Sequence, residues 1–229
     1  MGERVLPTLR RWLSGSTAVD GAPGMPPETA SEGTPLSREI EFSAYTEDCR
    51  VYGFLKLEAE RLSNALNTRE QFELSSVLLV ALEDSRAVEL NRLVVTRDEL
   101  VAVRASGPRG NPQRRSRRRP APVGMRAGPY LIHGYLHTPP GSDPLQEFRR
   151  RKAMVPITEA WIEYSAGGLP HRARVGTVIV NRDFVDWIDH AKDAEVRKDL
   201  PAEMRVDPRA KDMTGQIRVW WQEPLPDGS

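Results

Sequence analysis

Two stretches of the chain end in the same charged pair. Val94-Val95-Thr96-Arg97-Asp98 is echoed by Ile179-Val180-Asn181-Arg182-Asp183. Two carboxylates converging in one cleft can divide general-acid and general-base work between them, so Asp98 and Asp183 are the first residues to weigh. A plainer reading fits the same residues. Thr or Asn before Arg-Asp supplies side-chain hydrogen bonds and a local ion pair to a tight hairpin turn, and turn chemistry accounts for every residue in both copies. His133 and His137 share a strand face, but four residues of strand separate them by on the order of 13 Å, too far for one metal ion. Tyr52 and Lys56 stand at the matching places upstream, and His171 and His190 are scattered. Ser75, Ser76 and Thr158 lack a nucleophile elbow. Cys49 has no histidine placed by spacing to activate it, and no phosphate-binding or dinucleotide fingerprint occurs. The sequence therefore points to no catalytic residue, no metal and no cofactor.

The elements that would position these residues repeat. Val51-Tyr52-Gly53-Phe54-Leu55-Lys56 is matched by Ile132-His133-Gly134-Tyr135-Leu136-His137, in the same order and at nearly the same offset as the Arg-Asp pair. The pattern reads as an internal duplication. Ile40, Phe42 and Ala44 alternate with polar neighbours as a half-buried strand does. Val51–Leu57 follows as a strand, and Glu58–Glu70 is helical in composition with Leu62 and Leu66 on one face. Phe72–Leu82, Val88–Val95 and Leu100–Val103 complete five strands. Downstream, Tyr130–His137, a helical stretch at Pro144–Arg151, Met154–Tyr164 aligned so that Thr158 matches Ser76, and a hairpin across Arg174–Ile188 repeat the plan. Gly53 and Gly134 each mark a bulge or a close approach of neighbouring backbone. A helix at Asp189–Leu200 and a strand at Gln216–Trp221 would be peculiar to the second copy.

Five segments follow: a tail over 1–37, a β domain over 38–104, an Arg/Pro-rich linker over 105–126, a second β domain over 127–190, and an extension over 191–229. The tail is rich in Gly, Pro, Ser and Thr and lacks the apolar density to fold, although Leu9, Trp12 and Leu13 would form a small docking face. The formal charge of +1 is an average. Arg104 to Arg126 holds eight arginines and no acidic residue, so the remainder carries −7. Arg114, Arg115, Arg117, Arg118 and Arg119 are the core of this strap. They suit either a stiff, self-repelling spacer or contact with nucleic acid or an acidic partner. Without interleaved aromatic residues, binding there would be sequence-independent and salt-sensitive. No apolar run approaches the roughly 18–20 residues that span a bilayer, which implies no membrane partner. The single cysteine and the lack of a secretory signal pattern lead to the expectation of a cytoplasmic protein.

Gly53-Phe54-Leu55 with Val94-Val95-Thr96-Arg97, and Gly134-Tyr135-Leu136 with Ile179-Val180-Asn181-Arg182, resemble the signature segments of the small Sm-like β-barrels. The run Arg61-Leu62-Ser63-Asn64-Ala65-Leu66-Asn67 more closely resembles a bacterial family of small β domains with no assigned activity. That family carries a similar Arg-Leu-Ser run, a Phe-x-x-Leu-Thr strand and a closing hairpin. Together the resemblances cover about residues 39–104 and 127–190. They imply a mainly β fold with short helices, either a tandem duplication of a five-stranded Sm-like or SH3-like barrel or two packed β units. Asp98 and Asp183 replace the glycine that follows arginine in Sm-type RNA pockets, and a carboxylate there opposes phosphate. The chain is thus expected to be a non-enzymatic interaction or assembly module with a protein partner or further copies of itself. The alternative is nucleic-acid binding through the arginine strap.

Overall fold

The computed structural model describes residues 37–108, 118–203 and 206–210. The first half contains β1 (Arg38–Tyr45), β2 (Cys49–Leu57), helix α1 (Leu62–Thr68), β3 (Gln71–Ala81), β4 (Ala87–Thr96) and the short β5 (Ala102–Arg104). The second contains β6 (Arg119–Ala127), β7 (Tyr130–Thr138), helix α2 (Pro144–Arg150), β8 (Met154–Ala166), β9 (Leu169–Asn181), β10 (Val185–His190) and a single turn of helix, α3 (Asp193–Val196). All ten strands belong to one antiparallel sheet ordered β10-β6-β7-β8-β9-β5-β1-β2-β3-β4. Within each half the last strand flanks the first and the remaining three follow in sequence.

The mainly β reading with short helices agrees with this fold, but the closed barrel does not. The sheet is open, ending at β10 on one side and β4 on the other. The reason lies at the Arg-Asp segments. Each forms a turn of 3-10 helix (Arg97–Glu99, Arg182–Phe184) that redirects the chain instead of folding it back. Consequently β5 leaves β4 and pairs with β1 and β9, while β10 pairs with β6. The expected closing hairpins are corners between non-adjacent strands.

Gly53 and Gly134 show why their strands need glycine. A Cβ at Gly53 would lie 3.2 Å from the Ser75 carbonyl oxygen, and one at Gly134 would lie 2.5 Å from Ile157 Cγ2 and 2.9 Å from the Thr158 carbonyl oxygen. The register shifts opposite both glycines. The residue left over on the long strand, Ser76 or Glu159, takes a positive φ of 49° or 50°. These are β-bulges, which sharpen local twist and let a long strand curve around a core. Phe54 pairs with Ser75 and Tyr135 with Thr158, so the counterpart of Thr158 is Ser75 and that of Ser76 is Glu159, one place from the alignment by sequence.

Ile40, Phe42 and Ala44 are buried as their alternation predicts, and Leu62 and Leu66 anchor α1 over the same core. The two cores do not separate at the midpoint of the chain. Met154 and Ile179 pack into the first, while Tyr45, Leu82, Val101 and Ala102 pack into the second. The stretch expected as linker is shorter, because β6 already begins at Arg119 and pairs with β7 along its whole length. Proline at 120 and 122 masks the alternation there. The helix expected at Asp189–Leu200 shrinks to α3, since Asp189 and His190 are taken into β10. Residues 1–36, with Leu9, Trp12 and Leu13, lie outside the described residues, as do Arg114, Arg115, Arg117 and Gln216–Trp221. Among the described residues, no helix is long and apolar enough to cross a membrane.

Candidate functional site at the seam between the halves

The halves join where β5 of the first meets β9 of the second, with Ala102 opposite Val180, Val103 opposite Ile179 and Arg104 opposite Val178. Beyond the three paired residues, the Ala105 amide donates to Thr177 and the Asn181 amide donates to Val101. Helix α1 reaches across as well. Asn67 Nδ2 donates to the Met154 carbonyl at 2.8 Å, and the Met154 amide donates to Asn67 Oδ1 at 3.1 Å. One side-chain amide thus satisfies both backbone groups of the first residue of β8. At the far end of the seam, the Gly167 amide donates to Leu82, and a shallow cleft of about 340 Å³ opens between the Asp84–Arg86 turn and His171.

Tyr164, stacked on the cleft's His171 with ring centroids 5.3 Å apart, leads to a buried charge. Arg50, the second residue of β2, has its side chain 7% exposed, a position that a cation rarely occupies unless it is paired. Its guanidinium donates through Nη1 to Tyr164 Oη at 2.5 Å and through Nη2 to Glu203 Oε1 at 2.5 Å. The rings of Tyr52, Tyr164 and Tyr45 have their centroids 4.9, 5.2 and 5.4 Å from its central carbon, within cation–π reach. The other oxygen of Glu203 accepts from the Tyr45 hydroxyl at 2.6 Å and lies 3.7 Å from Arg104 Nη1. Tyr130 packs edge-on against Tyr45 and donates its hydroxyl to the Thr46 carbonyl at 2.7 Å. Burial pushes the Tyr164 phenol up to about 12 and, together with the Glu203 charge, holds the Tyr45 phenol well above its ordinary value. Both therefore stay protonated at neutral pH. Chemically, the cage binds a carboxylate through a guanidinium and a phenol.

No family model, curated protein or solved structure matches this chain.

The sequence-selected residues fall elsewhere. Asp98 and Asp183 have side chains 84% and 67% exposed, and each lies 3.4 Å from the arginine that precedes it. Thr96 and Asn181 cap the turns, through Glu99 in one case and by accepting from the Asp183 amide in the other. His133 stacks on Trp161 with centroids 4.3 Å apart and ring planes 3° from parallel, whereas His137 Nε2 bonds to Thr158 Oγ1 at 2.8 Å. The Cys49 thiol is buried, and that burial pushes it up to about 12, so at neutral pH it is not a thiolate. Of the described strap arginines, Arg119 opens β6 and Arg118 Nη1 donates to the His137 carbonyl at 3.4 Å, an oxygen to which Arg151 also donates. Arg182 in turn donates to the carbonyls of Arg149 and Arg151. The strap thus enters a basic surface that also carries Arg149, Arg150, Arg151 and Lys152. Burial, then the neighbouring Arg118 charge, holds Arg151 below its ordinary value.

Sequence reasoning missed Tyr45, Arg50, Tyr164 and Glu203. Arg50 carried no signal that set it apart, since Lys56 is a second cation in the same strand. Glu203 carried none, lying in a proline-flanked stretch without periodicity. Among the described residues the cage occurs once, for Leu131 stands where the second half would need the arginine.

Proposed function

We propose that the chain is a non-catalytic assembly module that adds copies head to tail through the outer edges of its sheet. One observation carries this reading. The chain already contains such a joint, β5 against β9, and the equivalents of those two strands are the sheet's two open ends, β10 and β4. Carrying the register of the internal joint outward sets Trp187 opposite Val95, Ile188 opposite Val94 and Asp189 opposite Leu93, with Arg92 beside the acidic residue. Val94 and Trp187 are 54% and 45% exposed, and with Leu169 they make up the exposed large hydrophobic residues of the described chain. Apolar side chains on an unpaired edge invite another strand. The repeated strand order supports an origin by internal duplication, which would explain why inner and outer joints match. Because the joint uses different edges on its two sides, it is heterologous and generates a ring or a filament. Sedimentation of the intact chain over a micromolar concentration series tests this reading. Oligomers are expected, with Trp187→Asp raising the dissociation constant by at least about tenfold, roughly 1.4 kcal/mol. A chain that stays monomeric throughout, or oligomers indifferent to the substitution, would refute the joint.

A second reading rests on a separate observation, the convergence of Arg118 and Arg119 with the Arg149–Lys152 surface. Such a patch suits a phosphate backbone read without sequence preference. Filter binding of single-stranded RNA across a salt series decides it. Affinity should drop by about two orders of magnitude between 50 and 200 mM salt if some five phosphates are neutralised. Replacing Arg114, Arg115, Arg117, Arg118 and Arg119 by alanine should flatten that slope, and an unchanged slope excludes the strap.

A further inference from the structure

Glu203 reaches the cage from a segment that behaves unlike the rest of the fold. Past α3, Asp199, Pro201, Ala202, Asp207, Arg209 and Ala210 are exposed, and among the described residues from 199 to 210 only Glu203 and Pro208 are buried. Ala202 forms an isolated parallel bridge with Arg174, in which the Arg174 amide donates to Pro201 and the Glu203 amide donates to Arg174. The bridge lies on the stretch of β9 that precedes its pairing with β5, so it fills an edge the sheet leaves open. Further on, Val206 rests on a small outer cluster of Tyr52, Leu78 and Val80. Arg209 then sits 3.6 Å above the Phe54 ring and bonds both oxygens of Glu39 at 2.9 and 3.0 Å.

We infer that the seam is a binding site for an extended peptide bearing a glutamate, and that residues 201–203 and 206–210 are a tethered occupant of that site. Three features argue for a receptor in place of a packed core. The carboxylate-binding groups, Tyr45, Arg50 and Arg104, come from three different strands, with Tyr164 on a fourth holding the guanidinium, so the sheet builds the pocket without the segment. The segment is held as peptide ligands are held, by backbone pairing to a strand edge plus a few side-chain anchors. Burying an ion pair there gains little stability over an apolar plug, but it discriminates sharply against any occupant lacking the carboxylate. A second copy's segment gains nothing over the tethered one, whose effective concentration is on the order of millimolar. The occupant in trans is therefore a partner protein's glutamate peptide that makes additional contacts.

The test uses the full chain with a protease recognition sequence inserted between Lys198 and Asp199, both exposed, folded first and then cut. A fluorescein-labelled peptide with the sequence of residues 199–210 is added in excess, and exchange is followed by anisotropy. The cut chain should bind the probe at least about tenfold more tightly than the uncut chain, because cutting removes the tether's advantage. A probe with Glu203→Gln should bind at least about tenfold more weakly than the parent peptide. Equal binding of the two probes, or no binding to the cut chain, overturns the site. A cut chain that loses its sheet signal in circular dichroism overturns it too, since the segment would then belong to the fold. Edge-to-edge assembly has no part in this readout, so either idea can fail alone.

Discussion

Each half's bulge turns on one hydrogen atom. At Gly134 an added methyl meets Ile157 Cγ2 at 2.5 Å and a backbone oxygen at 2.9 Å, whereas at Gly53 the closest atoms lie at 3.2 and 3.3 Å. Gly134→Ala should therefore cost about 1–3 kcal/mol, within the range of overpacked cores, and Gly53→Ala distinctly less. Urea unfolding of both variants checks the ranking, and equal costs would contradict it. A second residue-level consequence concerns protons. Burial lowers the pKa of His133, His137 and His171, so the folded chain binds their protons less readily than the unfolded chain does. Stability should therefore fall as pH drops from about 6.5, the free histidine value, and level off below the folded values. His133 has a ring nitrogen, Nδ1, that is buried without a hydrogen-bond partner among the described residues. Its replacement by phenylalanine keeps the stack on Trp161 and should shrink the difference between denaturation midpoints at pH 7.5 and 5.5. A difference that does not shrink would assign the acid sensitivity elsewhere.

Among the elements, α1 has a role that its short length hides. Its seven residues are too few for a stable helix alone, and Leu62 and Leu66 fasten it to the first core while Asn67 clasps β8 of the other half. Asn67→Ala removes that clasp and leaves the Met154 backbone groups unanswered at the seam, a cost of about 1–3 kcal/mol that urea unfolding would register. A serine-like loss of a few tenths would mean that water takes over the bonds. The leucines were legible from their spacing and the Asn67 contact was not, because its partner lies 87 residues away. The same limit applied at the Arg-Asp corners. Local composition fitted a tight turn, but whether the next strand folds back or crosses to another neighbour depends on which edge is open, and that is a property of the assembled sheet. Strand β6 escaped notice for a different reason, as prolines and arginines concealed a buried Val123, Met125 and Ala127. The cage was out of reach altogether, since it combines residues from four strands with a glutamate from an aperiodic stretch.

For the whole molecule, a single sheet with interlocking cores makes the two halves one cooperative unit. Tyr45, Val101 and Ala102 complete the second core, and Met154 and Ile179 complete the first, so neither half can unfold without exposing the other. Calorimetry should record one transition with calorimetric and van't Hoff enthalpies in agreement. Two resolved transitions would restore the picture of independent domains. The seam also orders events during synthesis. Once β5 has emerged, its outer edge waits for β9, which follows roughly 75 residues later, several seconds at ribosomal rates of about 5–20 residues per second. Arg50 waits longer, for the carboxylate that answers it belongs to Glu203, beyond the last strand of the sheet. A nascent chain therefore carries a desolvation-prone cation and an apolar strand edge together. It is most vulnerable to mispairing and to capture by chaperones just before Glu203 appears.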